Sequence, residues 1–470
     1  MKEPLEIDSP MTGTELRASV SLAGIYMLRM LGLFMILPVF SVYARDLPDA
    51  TPFLIGIAIS AYGLTQAIVG IPFGMWSDRF GRKKVIAIGL VIFAAGSVVA
   101  ALSESIYGII AGRAIQGSGA VAAVVMALAA DLTREEHRTK AMALIGISIG
   151  ISFALSMVAG PVISGWVGVK GLFWIIGVLS IAAIGVLYLA VPTPVVSSFH
   201  RDTQAMPAQF AKVLRHRELL RLDFGIFALH LILTATFVAL PLVLRDNLHL
   251  DISKHGMIYL PVFVFSMVSM VPFVILAEKR RKMKAVFLGF IALVAAAEGS
   301  LQAMDDNLWS IAFLLYVFFT GFNLLEATLP SMVSKVAPPD LKGTAMGIYS
   351  TAQFLGAFVG GAAGGWIYGH YGVHSVFLFC AAIGLVWFGI ACGMQPPRHL
   401  SSLLIRIGEL AADEASLLSE EFLRVSGVAE AVVIAEDGVA YLKVDRSALD
   451  RNALNNLILP RGQYARAGQN

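Results

Sequence analysis

Five ionisable side chains stand inside stretches that are otherwise apolar: Arg29, Arg113, His230, Glu298 and Glu326. A charge placed in hydrocarbon is costly unless it is paired or faces water, so each of these residues calls for a role. Glu326 reads as the main proton-carrying acid, with His230 as its partner or as a substrate contact. Counted from the nearer end of their apolar runs, His230 is about 11 residues deep and Glu326 about 9, roughly 17 and 14 Å at the helical rise. A carboxyl in low dielectric favours its neutral form, while a neighbouring imidazolium favours the charged one. Such a pair can exchange one proton near neutral pH. For His230 the plain alternative is a hydrogen-bonded packing histidine. Glu298 is a weaker candidate, expected to face lipid or to lie near the outer surface.

The two arginines are basic counterparts in the first half of the chain. Arg113 lies in Gly112-Arg113-Ala114-Ile115-Gln116-Gly117, where glycines let a neighbouring helix approach closely. Either it tunes a nearby carboxyl and its proton, or it holds the bundle by pairing with backbone carbonyls. Arg29 lies too near the midplane to snorkel well, so it is expected to face a central cavity. Met27, Met30, Phe34, Met35, Met126, Phe227, Phe237, Phe318, Phe319 and Phe322 would line that cavity, a surface that adapts to varied hydrophobic solutes.

These residues need membrane-spanning helices to hold them. The chain has 470 residues, 57% hydrophobic and 14% charged, against about half and a quarter for soluble domains. The apolar residues gather in runs long enough to cross a bilayer. Twelve spans are read near residues 18–44, 53–77, 84–103, 106–131, 139–167, 171–191, 219–244, 254–277, 284–303, 308–335, 342–369 and 374–394. Residues 1–17 form a polar tail with no cleavable signal. Lys and Arg crowd the loops on one side, whereas the other side holds Arg45, Lys170, Arg245 and Lys254. The crowded side is therefore cytoplasmic, with both termini there. With a formal charge of +3, nucleic-acid binding is not indicated. Cys380 and Cys392 both fall in the last run, and neither a disulfide nor a metal site is expected.

Between spans 2 and 3 lies Gly74-Met75-Trp76-Ser77-Asp78-Arg79-Phe80-Gly81-Arg82-Lys83-Lys84. The form G-x-x-x-D-R-x-G-R-[KR] resembles the signature loop of the major facilitator superfamily of transporters. The resemblance implies two six-helix halves with substrate held between them. It also implies that Asp78 faces the start of span 11, near Leu341 to Thr344, where free N–H groups and the helix dipole favour an anion. Arg82 would reach Asp131 at the inner end of span 4. Together Gly74, Asp78, Arg79, Gly81, Arg82 and Asp131 would then latch the halves in an outward-facing state. Arg113 is similar to the span 4 motif of proton-coupled members. Gly160-Pro161-x-x-Ser164-Gly165 is similar to the antiporter motif, with Ser156 and Ser164 where glycines are expected; a Gly-Pro kink alone is the other reading of Gly160, Pro161 and Gly165.

An internal repeat supports the two halves: Pro72-Phe73 recurs as Pro272-Phe273, Asp78-Arg79 as Glu278-Lys279, and Gly165-Trp166 as Gly365-Trp366. The halves are read as 18–191 and 219–395. The linker, 192–218, turns basic and amphipathic from Met206 to Leu220 and reads either as a helix on the membrane surface or as a plain connection.

From 396 to 470 no further span exists. Leu403 to Ile407 reads as a strand. Asp413 to Val425 has helical spacing, with Leu417, Leu418, Phe422 and Leu423 on one side. Strands at 431–434 and 439–444 meet around Glu436-Asp437-Gly438. Ser447 caps a second helix, and Leu457-Ile458-Leu459 is a possible last strand. The order β-α-β-β-α-β suggests a small ferredoxin-like domain. It carries no Cys-x-x-Cys, so metal carriage is unsupported, and its partner or ligand is unknown. Twelve spans with this tail resemble the YajR-type transporters, a proton-coupled efflux branch of the superfamily.

The expectation is therefore an all-α membrane protein with an α+β tail, in the inner membrane of a bacterial cell. It would export lipophilic small molecules against protons, as a monomer in lipid, with the proton gradient in place of any cofactor. Proton-coupled uptake of a nutrient is one alternative. A membrane sensor with vestigial transport is another. Nothing points to an enzyme: there is no nucleophile elbow, P-loop or metal cluster.

Overall fold

The computed structural model describes residues 10–134, 137–193, 209–280, 282–303, 307–338, 341–396, 401–408, 410–435, 438–445, 448–450 and 452–457. Among them, ten helical stretches are long and apolar enough to cross a membrane. One of these, α7 (Arg138–Leu189), crosses twice, because Gly168 at φ 69° breaks its helical path. Only glycine takes that conformation readily. A further helix, α13 (Lys342–Tyr371), is long enough but diluted in hydropathy by its glycines. Twelve crossings result.

Two spans are interrupted. Span 1 is α1 (Gly13–Phe34) followed by α2 (Leu37–Ala44), with Pro38 just after the break. Span 4 is α5 (Ile106–Ser118) followed by α6 (Ala122–Asp131). The remaining helices of the first half are α3 (Pro52–Phe80) and α4 (Arg82–Leu102). The second half holds α9 (Arg217–Asp246), α10 (His255–Lys279), α11 (Met283–Gln302), α12 (Leu308–Val336), α13 and α14 (Val373–Cys392). In the linker only α8 (Phe210–Leu214) is helical among the described residues, and His216 caps α9 directly after it. Of the stretch expected as amphipathic from Met206 to Leu220, the described part is α8 and the first turn of α9, and 194–208 lies outside the described residues.

The bundle has a signature end, carrying residues 78–84, and a far end. At the signature end the repeat is visible in three dimensions. Lys83 Nζ donates to the Val191 carbonyl at 2.6 Å, and Lys284 Nζ donates to the Cys392 carbonyl at 2.9 Å. Each ammonium thereby caps the last helix of its own half. At the far end the two halves close together. A Cβ on Gly56 would sit 2.0 Å from the Gly361 carbonyl oxygen, and one on Gly365 would sit 2.4 Å from that of Pro52. Arg45 bonds Asp246 across the halves at 2.5 Å. The repeat mates of these residues, Asp46 and Arg245, line a far-end cleft of about 460 Å³ together with Ser164, Gly165 and Asp251.

Among the described residues the tail forms a three-stranded antiparallel sheet, β1 (Ser401–Arg406), β3 (Val439–Val444), β2 (Val428–Ile434) in that spatial order. Helix α15 (Ala412–Arg424) follows β1, and a short helix at 452–457 follows β3. Leu418 and Phe422 pack under the sheet with Leu442 and Val444. Leu417 and Leu423 are exposed, so only half of the expected apolar side of α15 is used. Asp450 Oδ1 accepts from the N–H groups of Asn452 and Ala453 and caps the last helix. Ser447, Glu436, Asp437 and residues 458–459 lie outside the described residues. Lys443, buried in the sheet, donates to the Lys335 carbonyl in the last turn of α12 at 2.9 Å.

Candidate functional site

His230, Glu326 and Gln353 meet where three helices converge. Gly356, Gly360 and Gly364 form one face of α13, and the Phe227 and Leu231 carbonyls of α9 would lie only 2.2 Å from a Cβ on the first two. That backbone contact brings Gln353 to His230, with a Nε2 to Nε2 separation of 2.8 Å. The same amide group donates to Glu326 Oε1 at 3.2 Å. An amide NH2 can only donate, so His230 Nε2 is the acceptor. In the neutral ring the proton then sits on Nδ1, which points to Glu326 Oε2 at 3.8 Å. Among the described residues neither Nδ1 nor Oε2 meets the geometry of a hydrogen bond. The geometry sets an acid beside a base, with one amide group touching both.

Aromatic rings surround this group. Phe322 lies 6.0 Å from the His230 ring. Phe153 of α7 reaches across the halves to Phe263 at 5.2 Å and Phe322 at 5.7 Å. Of the expected lining, Met27, Phe34, Met126 and Phe227 are partly exposed. Met30, Met35, Phe237, Phe318 and Phe319 are fully buried instead.

The structure does not bring Arg29 or Arg113 to this group. Arg29 turns away from the central space into the first half. It bonds Gln66 Oε1 at 2.6 Å and the Tyr62 hydroxyl, and it stacks over Phe93. Arg113 donates to the carbonyls of Ala58 and Ile59 and to Gln116 Oε1. No carboxylate pairs with either arginine among the described residues. Of the two readings of Arg113, its contacts match the one with backbone carbonyls. Glu298 also departs from expectation. It is fully buried, 2.8 Å from the Thr236 hydroxyl and beside Cys380.

The signature-loop residues form a second cluster. Arg82 Nε meets Asp131 Oδ2 at 3.1 Å, and its Nη1 meets Ser77 Oγ at 2.5 Å and Asp78. Gly81 at φ 92° makes the tight turn that brings Arg82 under Ser77. Arg79 is exposed, and a Cβ on Gly74 would meet Ala123 at an ordinary 3.7 Å. Asp78 differs from the expected latch: its partner is Arg82, and among the described residues it makes no hydrogen bond to the first turn of α13. The Gly81 turn sets the Arg82 guanidinium one helical turn from Asp78, and the carboxylate pairs there instead. At Gly160 a Cβ would lie 2.3 Å from the Met35 carbonyl, where α1 gives way to α2. Ser152 and Ser156 bond the Met27 and Leu31 carbonyls. Close packing against span 1 therefore accounts for these residues locally, and Gly165 abuts Ser253.

The sequence profile of the Major Facilitator Superfamily matches residues 22–361. The chain belongs to the major facilitator superfamily. It is 47% identical over 452 residues to the inner membrane transport protein YajR of Escherichia coli (strain K12), covering 96% of this chain and 99% of that one. It is 24% identical over 389 residues to the quinolone resistance protein NorA of Staphylococcus aureus (strain MSSA476), covering 79% and 95%. Among solved structures, a bacterial homologue of the human lysosomal transporter Spinster, inward-facing and occupied, superposes with a TM-score of 0.69. It shares 12% identity and covers 81% of this chain and 97% of that one. The chain is thus a membrane transporter of this superfamily rather than an enzyme. Gln353 was the partner that sequence reasoning missed, since a glutamine in a glycine-rich helix carries no signal of its own.

Proposed function

We propose that the chain exports lipophilic small molecules in exchange for protons, by alternating access between two rocking halves. The observation that carries this reading is the Glu326–Gln353–His230 group set among phenylalanines at the centre of the molecule. A proton on this group and a hydrophobic solute against the rings would compete for one conformational equilibrium. The signature end is taken as cytoplasmic because the Lys and Arg residues gather there. The E. coli relative carries the name of an inner membrane transport protein, and the more distant S. aureus relative is named for quinolone resistance. The first name supports a place in a bacterial inner membrane, and the second supports export.

The test is proton flux in proteoliposomes of known orientation against a panel of lipophilic cations and weak acids. Solute and proton moving in opposite directions is the expected result. Movement in the same direction would make the protein a symporter. Glu326→Gln should lose the dependence of transport on the pH gradient while still binding solute, and a preserved pH dependence would overturn the assignment.

A further inference from the structure

Glu298 is the fully buried acid that neither the central group nor the signature loop uses. It stands on α11 with no exposed surface, where three helices meet: Thr236 comes from α9 and Cys380 from α14. The junction is tight. A Cβ on Gly384 of α14 would lie 2.8 Å from that of Ala295, one turn before Glu298. The titratable group facing the carboxyl is the Cys380 thiol. No Lys, Arg or His pairs with Glu298 from α9, α10, α12 or α14 among the described residues. Asp223 of α9 is buried as well, 6% exposed, but neither of its oxygens has a hydrogen-bond partner among the described residues, so nothing beside it reports its protonation state. Beside Glu298 a hydroxyl does.

Thr236 Oγ1 lies 2.8 Å from Glu298 Oε1 and 2.8 Å from the Ile232 carbonyl oxygen. Both are hydrogen-bond lengths for an O–H group. A hydroxyl has one proton to give, and a carbonyl or a carboxylate can only accept. Two contacts between oxygens therefore need two protons, and the second must come from the carboxyl. The Cys380 thiol leans on the same Ile232 carbonyl at 3.8 Å and gives Glu298 no hydrogen bond. Glu298 Oε2 has no partner among the described residues. In the opposite order the hydroxyl would donate to a carboxylate. That leaves Thr236 and Ile232 oxygens at 2.8 Å with no proton between them, and a buried anion resting on one neutral donor, which burial penalises heavily.

We infer that Glu298 is a resident proton site: a carboxylic acid that donates to Thr236, which donates in turn to the Ile232 carbonyl. The bound proton ties α11 to the turn of α9 that follows His230, and it does so without placing a charge in the core. Sealed from water, it is not among the protons exchanged. That last point alone rests on the proton-coupled reading above.

Infrared spectroscopy of the purified full chain tests this. An ordinary glutamate titrates near pH 4.3, so at pH 7 roughly one in 500 carries its proton. Wild type minus Glu298→Gln at pH 7 should instead show the carbonyl stretch of one whole protonated carboxyl per chain. Thr236→Val keeps the acid and removes its acceptor, so it should move that band without abolishing it. On transfer to D2O the band should shift slowly, after the exposed groups have exchanged. Carboxylate bands in the difference, or a band indifferent to Thr236→Val, would overturn the inference. A prompt shift in D2O would give the proton a path to water and overturn its sealed state. None of these outcomes depends on Glu326, whose Gln variant tests the coupling reading separately. Thr236→Val against wild type decides the matter if Glu298→Gln does not fold.

Discussion

Arg82 and Asp131 are both shut away from solvent, whereas the Asp78 side chain keeps a third of its surface exposed. The same loop therefore contains one buried ion pair and one wet one, and their removal should read differently. Arg82→Ala leaves a buried carboxylate without its guanidinium, which costs about 3 kcal/mol or more. We propose that Asp78 acts as a latch when the signature end closes; Asp78→Asn should then cost about 1 kcal/mol or less yet slow exchange severely. Thermal unfolding in detergent, set beside transport rate, separates the two. A large stability loss in Asp78→Asn would mean that the carboxylate is a static anchor. At this scale the sequence was legible where a residue betrayed itself by type. Glu326 and His230 stood out as charges in apolar runs, and they do meet. Asp223 did not, since an acid so near a helix start reads as an interfacial group. Glu298 and Arg29 were placed wrongly because facing depends on helix rotation, which apolar runs on all sides leave unspecified.

Helix α13 shows how far the element scale depends on small residues. One glycine face lies against α9 and sets Gln353 on His230; the other, Gly361 and Gly365, lies against α3 of the opposite half. It is a wedge that touches both halves along bare backbone. A Cβ on Gly361 would come within 2.6 Å of the Gly56 carbonyl and of Ser60. Gly361→Leu should therefore pry the far end apart and shift the population toward the far-open state. The readout is labelling of a cysteine at position 46 by a membrane-impermeant maleimide, expected to rise several-fold; unchanged labelling would show that the contact gives way locally. The twelve crossings were readable from run length. The breaks at Met35 and near Gly119 were not, because they answer to partners distant in sequence: Gly160 packs on the Met35 carbonyl, and Gly119 packs on that of Gly89.

At the scale of the whole molecule, the halves touch at the far end and the tail touches the second half. Lys443 sits in the β-sheet and reaches the final turn of α12, the helix that carries Glu326. An ammonium at a helix C-terminus stabilises its orphan carbonyls. Lys443→Met should loosen that turn, raising amide hydrogen exchange at the end of α12 relative to wild type; equal protection would show that the contact adds nothing there. The strand order of the tail was legible from alternation and from the turn at Gly438. Its seat on the bundle was not, since a lysine in a strand ordinarily faces water.

The bond between Arg45 and Asp246 has an implication for speed. Both side chains are well exposed, so the pair is worth only about 1 kcal/mol or less and weakens as dissolved ions crowd around it. Under the proposed alternating access, a clasp that feeble would release at every turnover without becoming the slow step. Raising ionic strength on the far side of a sealed vesicle should ease its release, whereas the same salt on the opposite side should leave it alone. Neutralising Asp246 should erase that one-sided sensitivity.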